Sequence, residues 1–226
     1  MTAARDRPLL FSAPMVRAIL DGRKSQTRRI LKLPKKTHSG GPIYERPDMG
    51  GWEATTHGGG GVFRIGPAGE RIPVPEEPGL WHRTTGTCVA LPWRPGDRAW
   101  VRETWAYDDD GAILRAGERP FNPDFRPRWR SPIHMPRRFS RITLLIEDVR
   151  VQRLQDISEE DAVAEGIDPE EVWKIVGVTG PTNGGSTQAF AAIWDRIHSP
   201  GAWGQNPWVC ALTFQVKKAN IDNVAC

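Results

Sequence analysis

Cysteine is scarce and scattered in this chain: Cys88, Cys210 and Cys226 form an odd set with no CxxC spacing. That argues against a disulfide framework and for a reducing compartment, so a cytoplasmic location is expected. Long apolar runs are also missing. Nothing approaches the roughly 20 residues that a membrane span needs. The N-terminal MTAARDRPLLFSAP offers only LLF, too short for the apolar core of a signal peptide. Neither export nor a membrane partner is expected. Metal-ligand spacing is absent too. His38, His57, His82 and Cys88 share one region, but no two stand at C-x2-C or H-x3-H separation. HGGGG at 57–61 follows no apolar strand and opens no helix, so it reads as a loop tip and not a phosphate cradle. No metal and no cofactor are expected.

What is present is a soluble, globular composition, 38% hydrophobic and 26% charged, enough for one generous domain over 1–226. The net charge of +4 is unevenly spread. Arg23 to Lys36 holds seven Lys or Arg and no acid, and Arg126 to Arg141 holds six Arg and no acid, interleaved with Trp129 and Phe139. Cations interleaved with aromatics suit phosphate contact with base stacking, and equally suit a solvated basic surface.

Along the chain, FSAPMVRAILDG predicts a helix capped by Ser12, with Pro14 in its first turn and Gly22 ending it. KSQTRRILKL is then extended, which places Lys24 and Thr27 at a helix-to-strand turn. There, substitutions are expected to change stability by no more than about 0.5 kcal/mol. Three-residue spacing puts the two on opposite faces of a regular strand, so a shared pocket requires a turn or bulge between them. Residues 34–96 are rich in Gly and Pro and read as an elaborated insertion with one hairpin, packed by Trp52, Trp81 and Trp93. GDRAWVRETWAY predicts a strand, followed by a second loop insertion over 107–132. SRITLLIEDVRVQRL is the strongest strand, with a bend near Asp148. DISEEDAVAEGI predicts a helix capped by Ser158 with Asp161 completing a capping box and Gly166 ending it. STQAFAAIWDRIH predicts a helix with Phe190, Ile193, Trp194 and Ile197 on one face, and NPWVCALTFQVKK a closing strand. The sum is α+β: a curved mixed sheet or barrel with short helices at its ends.

For hydrolysis, Thr27 supplies a hydroxyl, Lys24 a cation and Glu165 a carboxylate; by composition this trio is one set among many. A Glu at a helix C-terminus opposes the helix dipole, which favours a specific partner for it.

FSAPMVRAILDGRKSQTRR, PGDRAWVRETWA, SPIHMPRRFSRITL, DISEEDAVAEGI and NPWVCALTF, in this order, resemble the ASCH family of PUA-like fold, in particular its phage- and prophage-encoded branch. The blocks cover about half the chain and leave 34–90 and 107–127 unexplained. The family signature G-x-K-x-x-E-x-R is matched by Gly22, Lys24 and Arg29, with Thr27 where the Glu usually stands. In this it is similar to the compact ASCH enzymes that hydrolyse N4-acetylcytidine. The resemblance implies a PUA-like curved mixed sheet or β-barrel with large loop insertions. It also implies a catalytic set of Lys24, Thr27 and Glu165 gathered at one solvent-reachable cleft. Thr27 would be nucleophile or water-positioner, Lys24 base or oxyanion stabiliser, and Glu165 the orienting or relaying carboxylate. RNA or a modified nucleoside is the implied partner. Arg28, Arg29, Arg102, His134, Arg137 and Arg138 are candidates to grip phosphate or sugar, and Trp105 and Trp208 to stack a base. Amide hydrolysis of acylated cytidine, cleavage of single-stranded RNA, and a non-catalytic phage accessory role are the three functions it leaves in view.

Overall fold

The computed structural model describes residues 5–37, 40–43, 51–58, 61–74, 76–108, 111–117, 127–168, 170 and 185–224. From the N-terminus come strand β1 (Asp6–Leu10), helix α1 (Ala13–Leu20) and strand β2 (Gln26–Ile30). Five short strands follow: β3 (Trp52–His57), β4 (Phe63–Ile65), β5 (Arg71–Pro73), β6 (Glu77–His82) and β7 (Thr87–Ala90). Strands β8 (Arg98–Arg102), β9 (Trp105–Asp108), β10 (Gly111–Leu114) and β11 (Thr143–Arg153) come next. Helices α2 (Glu159–Ala164) and α3 (Ser186–His198) and strand β12 (Trp208–Lys217) complete the order.

One five-stranded sheet, ordered β1-β8-β11-β12-β2, organises the fold. Strands β1 and β8 run parallel and the other neighbours antiparallel, so the sheet is mixed. Among the described residues it stays open, with β1 and β2 at its edges, so of the two expected forms, curved mixed sheet or barrel, the closed barrel is not present. The strand expected to run on through Trp105 stops at Arg102, and Trp105 begins a separate hairpin with β10.

Strand β11 shows how sequence phase becomes geometry. Strict alternation would turn Leu144, Ile146, Asp148 and Arg150 inward, but the apolar positions jump to Val149 after Ile146. A register shift between Ile146 and Asp148 absorbs the extra residue, at the place where a bend is expected. Ile146 and Val149 thereby both enter the core, while Glu147 and Asp148 stay exposed. Strand β12 is buried on both faces. Cys210, Leu212 and Phe214 join a core with Val16 and Ile19 of α1 and Leu144 of β11. Val209, on the opposite face, packs with Leu154, Ala162, Phe190 and Trp194 under the two later helices. Burial pushes the Cys210 thiol up to about 12, so it serves as a small core hydrophobe.

The 34–96 insertion holds more order than one hairpin. Strands β3, β6 and β7 form a three-stranded sheet and β4–β5 a two-stranded one. Trp52, Leu80 and Trp93 join the principal core, whereas Trp81 is 44% exposed and does not pack the insertion as expected.

Candidate nucleoside cleft

The turn that opens the site is built from α1 outward. Gly22 takes φ +76°, a left-handed conformation that Gly adopts without steric cost, and ends α1 as expected. Ser12 occupies the N-cap position, but its side chain makes no capping bond. Lys24 follows outside any strand. Its N–H donates to the Ala18 carbonyl at 3.0 Å, and it pairs as an isolated antiparallel bridge with Glu165. Ser25 N–H donates to the Ala164 carbonyl at 2.8 Å, so backbone bonds lock the α1–β2 turn onto the end of α2. This is the turn that the Lys24–Thr27 spacing requires.

Convergence of the three side chains is close but layered. The Lys24 ammonium is 1% exposed and donates to Glu165 Oε2, and to the Glu165 carbonyl at 2.8 Å. Arg28 donates to Glu165 Oε1 at 3.1 Å and to Asp161 Oδ2 at 2.6 Å. Glu165 therefore carries two cations, which is the specific reason for an acid at a helix C-terminus. Burial pulls the Lys24 ammonium below its usual value; the Glu165 charge and hydrogen bond oppose this, and Arg29 and Arg28 add to the lowering.

A cleft of about 520 Å³ opens over this network, within the roughly 300–1,000 Å³ of small-ligand sites. Thr27, Arg28, Arg29 and Glu165 form its polar side, and Met15, Phe190, Ile193 and Trp194 its apolar side. Pro14, Arg23 and Ile197 at the rim are exposed. Among the described residues the Thr27 hydroxyl has no hydrogen-bond partner. Lys24 does not reach the cleft wall; it stands behind Glu165. Asp21, Gly22, Arg23 and Ser25 of the turn are exposed, but Lys24 is 1% and Thr27 only 3% exposed. The expectation of near-neutral substitutions at these two positions is therefore replaced.

Sequence reasoning missed two parts of this site. Asp161 was expected to complete a capping box. Ser158 does accept from the Asp161 N–H at 3.1 Å, but the Asp161 carboxylate turns to Gln26, Arg28 and Arg150 instead. Its pKa is lowered: burial works against this, while Arg150 and Gln26 hydrogen bonds and the Arg28 and Arg150 charges prevail. The apolar stripe of α3 is core only in part. Phe190 and Trp194 are 4% exposed but Ile197 is 51% exposed, and all three line the cleft.

The remaining candidates lie elsewhere. Trp105 is 4% exposed and packs against Phe139 and Arg130, so it is core and not a base platform. Trp208 lies under the Arg153 guanidinium at 4.4 Å. Arg102 covers Trp100 and donates to the Ile133 carbonyl at 2.9 Å. Arg138 and His134 are exposed, Arg138 over the Phe139 ring. Arg137 is bound to Asp6 at 2.7 Å and Asp222 at 2.6 Å, which leaves little of its charge for phosphate. Arg141 is paired with the buried Glu103. Part of each acid-free run thus meets its acids in space: Arg23, Lys24 and Arg28 in the first, Arg137 and Arg141 in the second. His38 and Cys226 lie outside the described residues. Among the described residues no three His, Cys, Asp or Glu side chains gather as metal ligands, and no helix is long and apolar enough to cross a membrane.

The Asp6 carboxyl is held below its ordinary 3.8 by the Arg98 hydrogen bond, against partial burial, with Arg137 adding to the effect. A lowered folded value means stability that is present above the unfolded pKa and lost as pH falls through the folded one. Asp6→Asn should therefore be less stable than the unaltered chain at neutral pH. In urea titrations the gap should close progressively below the ordinary 3.8.

Compared with known proteins, the chain matches no family model, no curated protein and no solved structure.

Proposed function

We propose that this is an ASCH-type protein of PUA-like fold whose cleft binds a modified nucleoside and hydrolyses the N4-acyl amide of acylated cytidine. One observation carries the reading: among the described residues a partner-free Thr27 hydroxyl shares a small-ligand cleft with Glu165, whose carboxylate accepts from Lys24 and Arg28. The aromatic and aliphatic side of the cleft suits a base, and the polar side suits an amide. In the proposed step Thr27 Oγ bonds to the acyl carbon and the C–N4 bond breaks. The hydroxyl proton passes through Glu165 to the departing amine. Water then cleaves the Thr27 ester, releasing the carboxylate and restoring the hydroxyl. Lys24 and Arg28 act through Glu165 by fixing the position of its carboxylate.

Purified protein should release acetate from N4-acetylcytidine without added metal. Thr27→Ala should lower that rate by at least about a hundredfold, and Thr27→Ser should retain part of it. Cleavage of an RNA oligomer with the acylated nucleoside intact would replace this reading with the ribonuclease. No binding and no turnover of either would leave the phage accessory role.

A further inference from the structure

Buried donors exceed acceptors on the polar side of the cleft. Both Glu165 carboxylate oxygens are occupied, and Asp168, the other carboxylate of the lining, accepts from the Glu170 N–H at 3.0 Å. Arg29 stands apart from these pairs. It lies over the Phe11 ring at 4.9 Å and donates Nη2 to the Leu10 carbonyl at 2.7 Å, yet among the described residues it has no carboxylate partner. Its Nε is buried without an acceptor, and so are Arg28 Nε and Trp194 Nε1, all on cleft-lining side chains. A buried donor left unpaired is costly, and more so on a guanidinium with no hydrogen-bonded carboxylate. Burial pulls the Arg29 guanidinium below its ordinary value and the Glu165 charge offsets this only in part, while the Arg29 charge in turn disfavours protonation of Lys24, and of His198 after burial has done so. The missing component is an anion rich in acceptor oxygens.

We propose that the Arg29 end of the cleft, flanked by His198, is an anion subsite for the phosphate of a nucleoside monophosphate, so that the ligand is a nucleotide and not a free nucleoside. The nucleotide identity rests on the nucleoside reading above; the anion subsite does not. A guanidinium fork matches phosphate oxygens in geometry as well as charge, and the base would lie toward Phe190 and Trp194.

Calorimetric titration of the full chain with cytidine and with cytidine 5′-monophosphate, joined to NMR of the His198 ring with inorganic phosphate, tests it. The monophosphate should bind at least about tenfold tighter than cytidine. Arg29→Gln should bring that ratio close to one, and Arg29→Lys should keep part of it. Phosphate alone should move the His198 resonances in the unaltered chain and not in Arg29→Gln. Equal affinity for nucleotide and nucleoside would overturn the nucleotide assignment and leave the nucleoside reading standing. If neither cytidine ligand binds but phosphate moves His198 through Arg29, the subsite holds and the nucleoside reading fails. A His198 signal indifferent to phosphate and nucleotide would overturn the subsite. Should Arg29→Gln fail to fold by circular dichroism, Arg29→Lys and the unaltered chain carry the same decision.

Discussion

Lys24→Met should lower the unfolding free energy by about 3–5 kcal/mol, because it breaks a buried ion pair on one side only. The ammonium is 1% exposed and satisfies both the Glu165 carboxylate and the Glu165 carbonyl. Removing it leaves that carbonyl without its buried donor and the carboxylate with Arg28 alone. The double change Lys24→Met with Glu165→Leu should recover part of the loss, since an apolar pair carries no stranded charge. Arg28 would keep Asp161 as its counter-ion. Urea denaturation of the three chains measures this. A loss under about 1 kcal/mol for the single change would mean that the pair is screened as a surface bridge is.

Gly166→Ala should be nearly as damaging, by another route. Gly166 holds φ +80°, and an added Cβ would meet the Lys24 Cβ at 2.8 Å and the Ala18 Cβ at 3.0 Å. The left-handed conformation costs about 1–2 kcal/mol and the overpacking about 1–3 more, so a loss of about 2–5 kcal/mol is expected. Gly22→Ala supplies the control. Its φ is +76°, but nothing stands within 4 Å of the added Cβ, so it should show the conformational cost alone. Because Glu165 immediately precedes Gly166, the displaced helix end should also depress the proposed amide hydrolysis. Thermal unfolding that finds the two variants equal would remove the close approach as the cause.

Local signals carried the elements, and partner choice escaped them. The Gly22 and Gly166 stops, the Ser158 cap and the β11 bend each follow from a few adjacent residues, and each stands where it was expected. The α1–β2 turn and the α2 end were named as one site on resemblance, and their geometry brings Lys24 onto Glu165. Burial depth was not legible. Lys24 in a polar, basic stretch gives no sign that its counter-ion lies 141 positions away. The same blindness inflated the basic surface, because Asp6 and Asp222 close on Arg137 only through the tertiary fold. Trp105 failed for the complementary reason: the Trp of RETWA reads as a platform until the packing of Phe139 is known.

The strand order has a consequence for how the protein is made. Strand β2, which carries Thr27, Arg28 and Arg29, takes its ladder from β12 alone, and the register joins Arg28 to Ala211. On the ribosome, β2 would emerge early and wait, unpaired, through the synthesis of β3 to β12. Pairings so distant in sequence close slowly, and an unpaired edge left waiting is exposed to misassociation. The Lys24–Glu165 contact and the backbone bonds from Ser25 to α2 become available before β12 does. The cleft's ion-pair network would thus serve the nascent chain as a provisional clasp, holding β2 in place until its neighbour arrives.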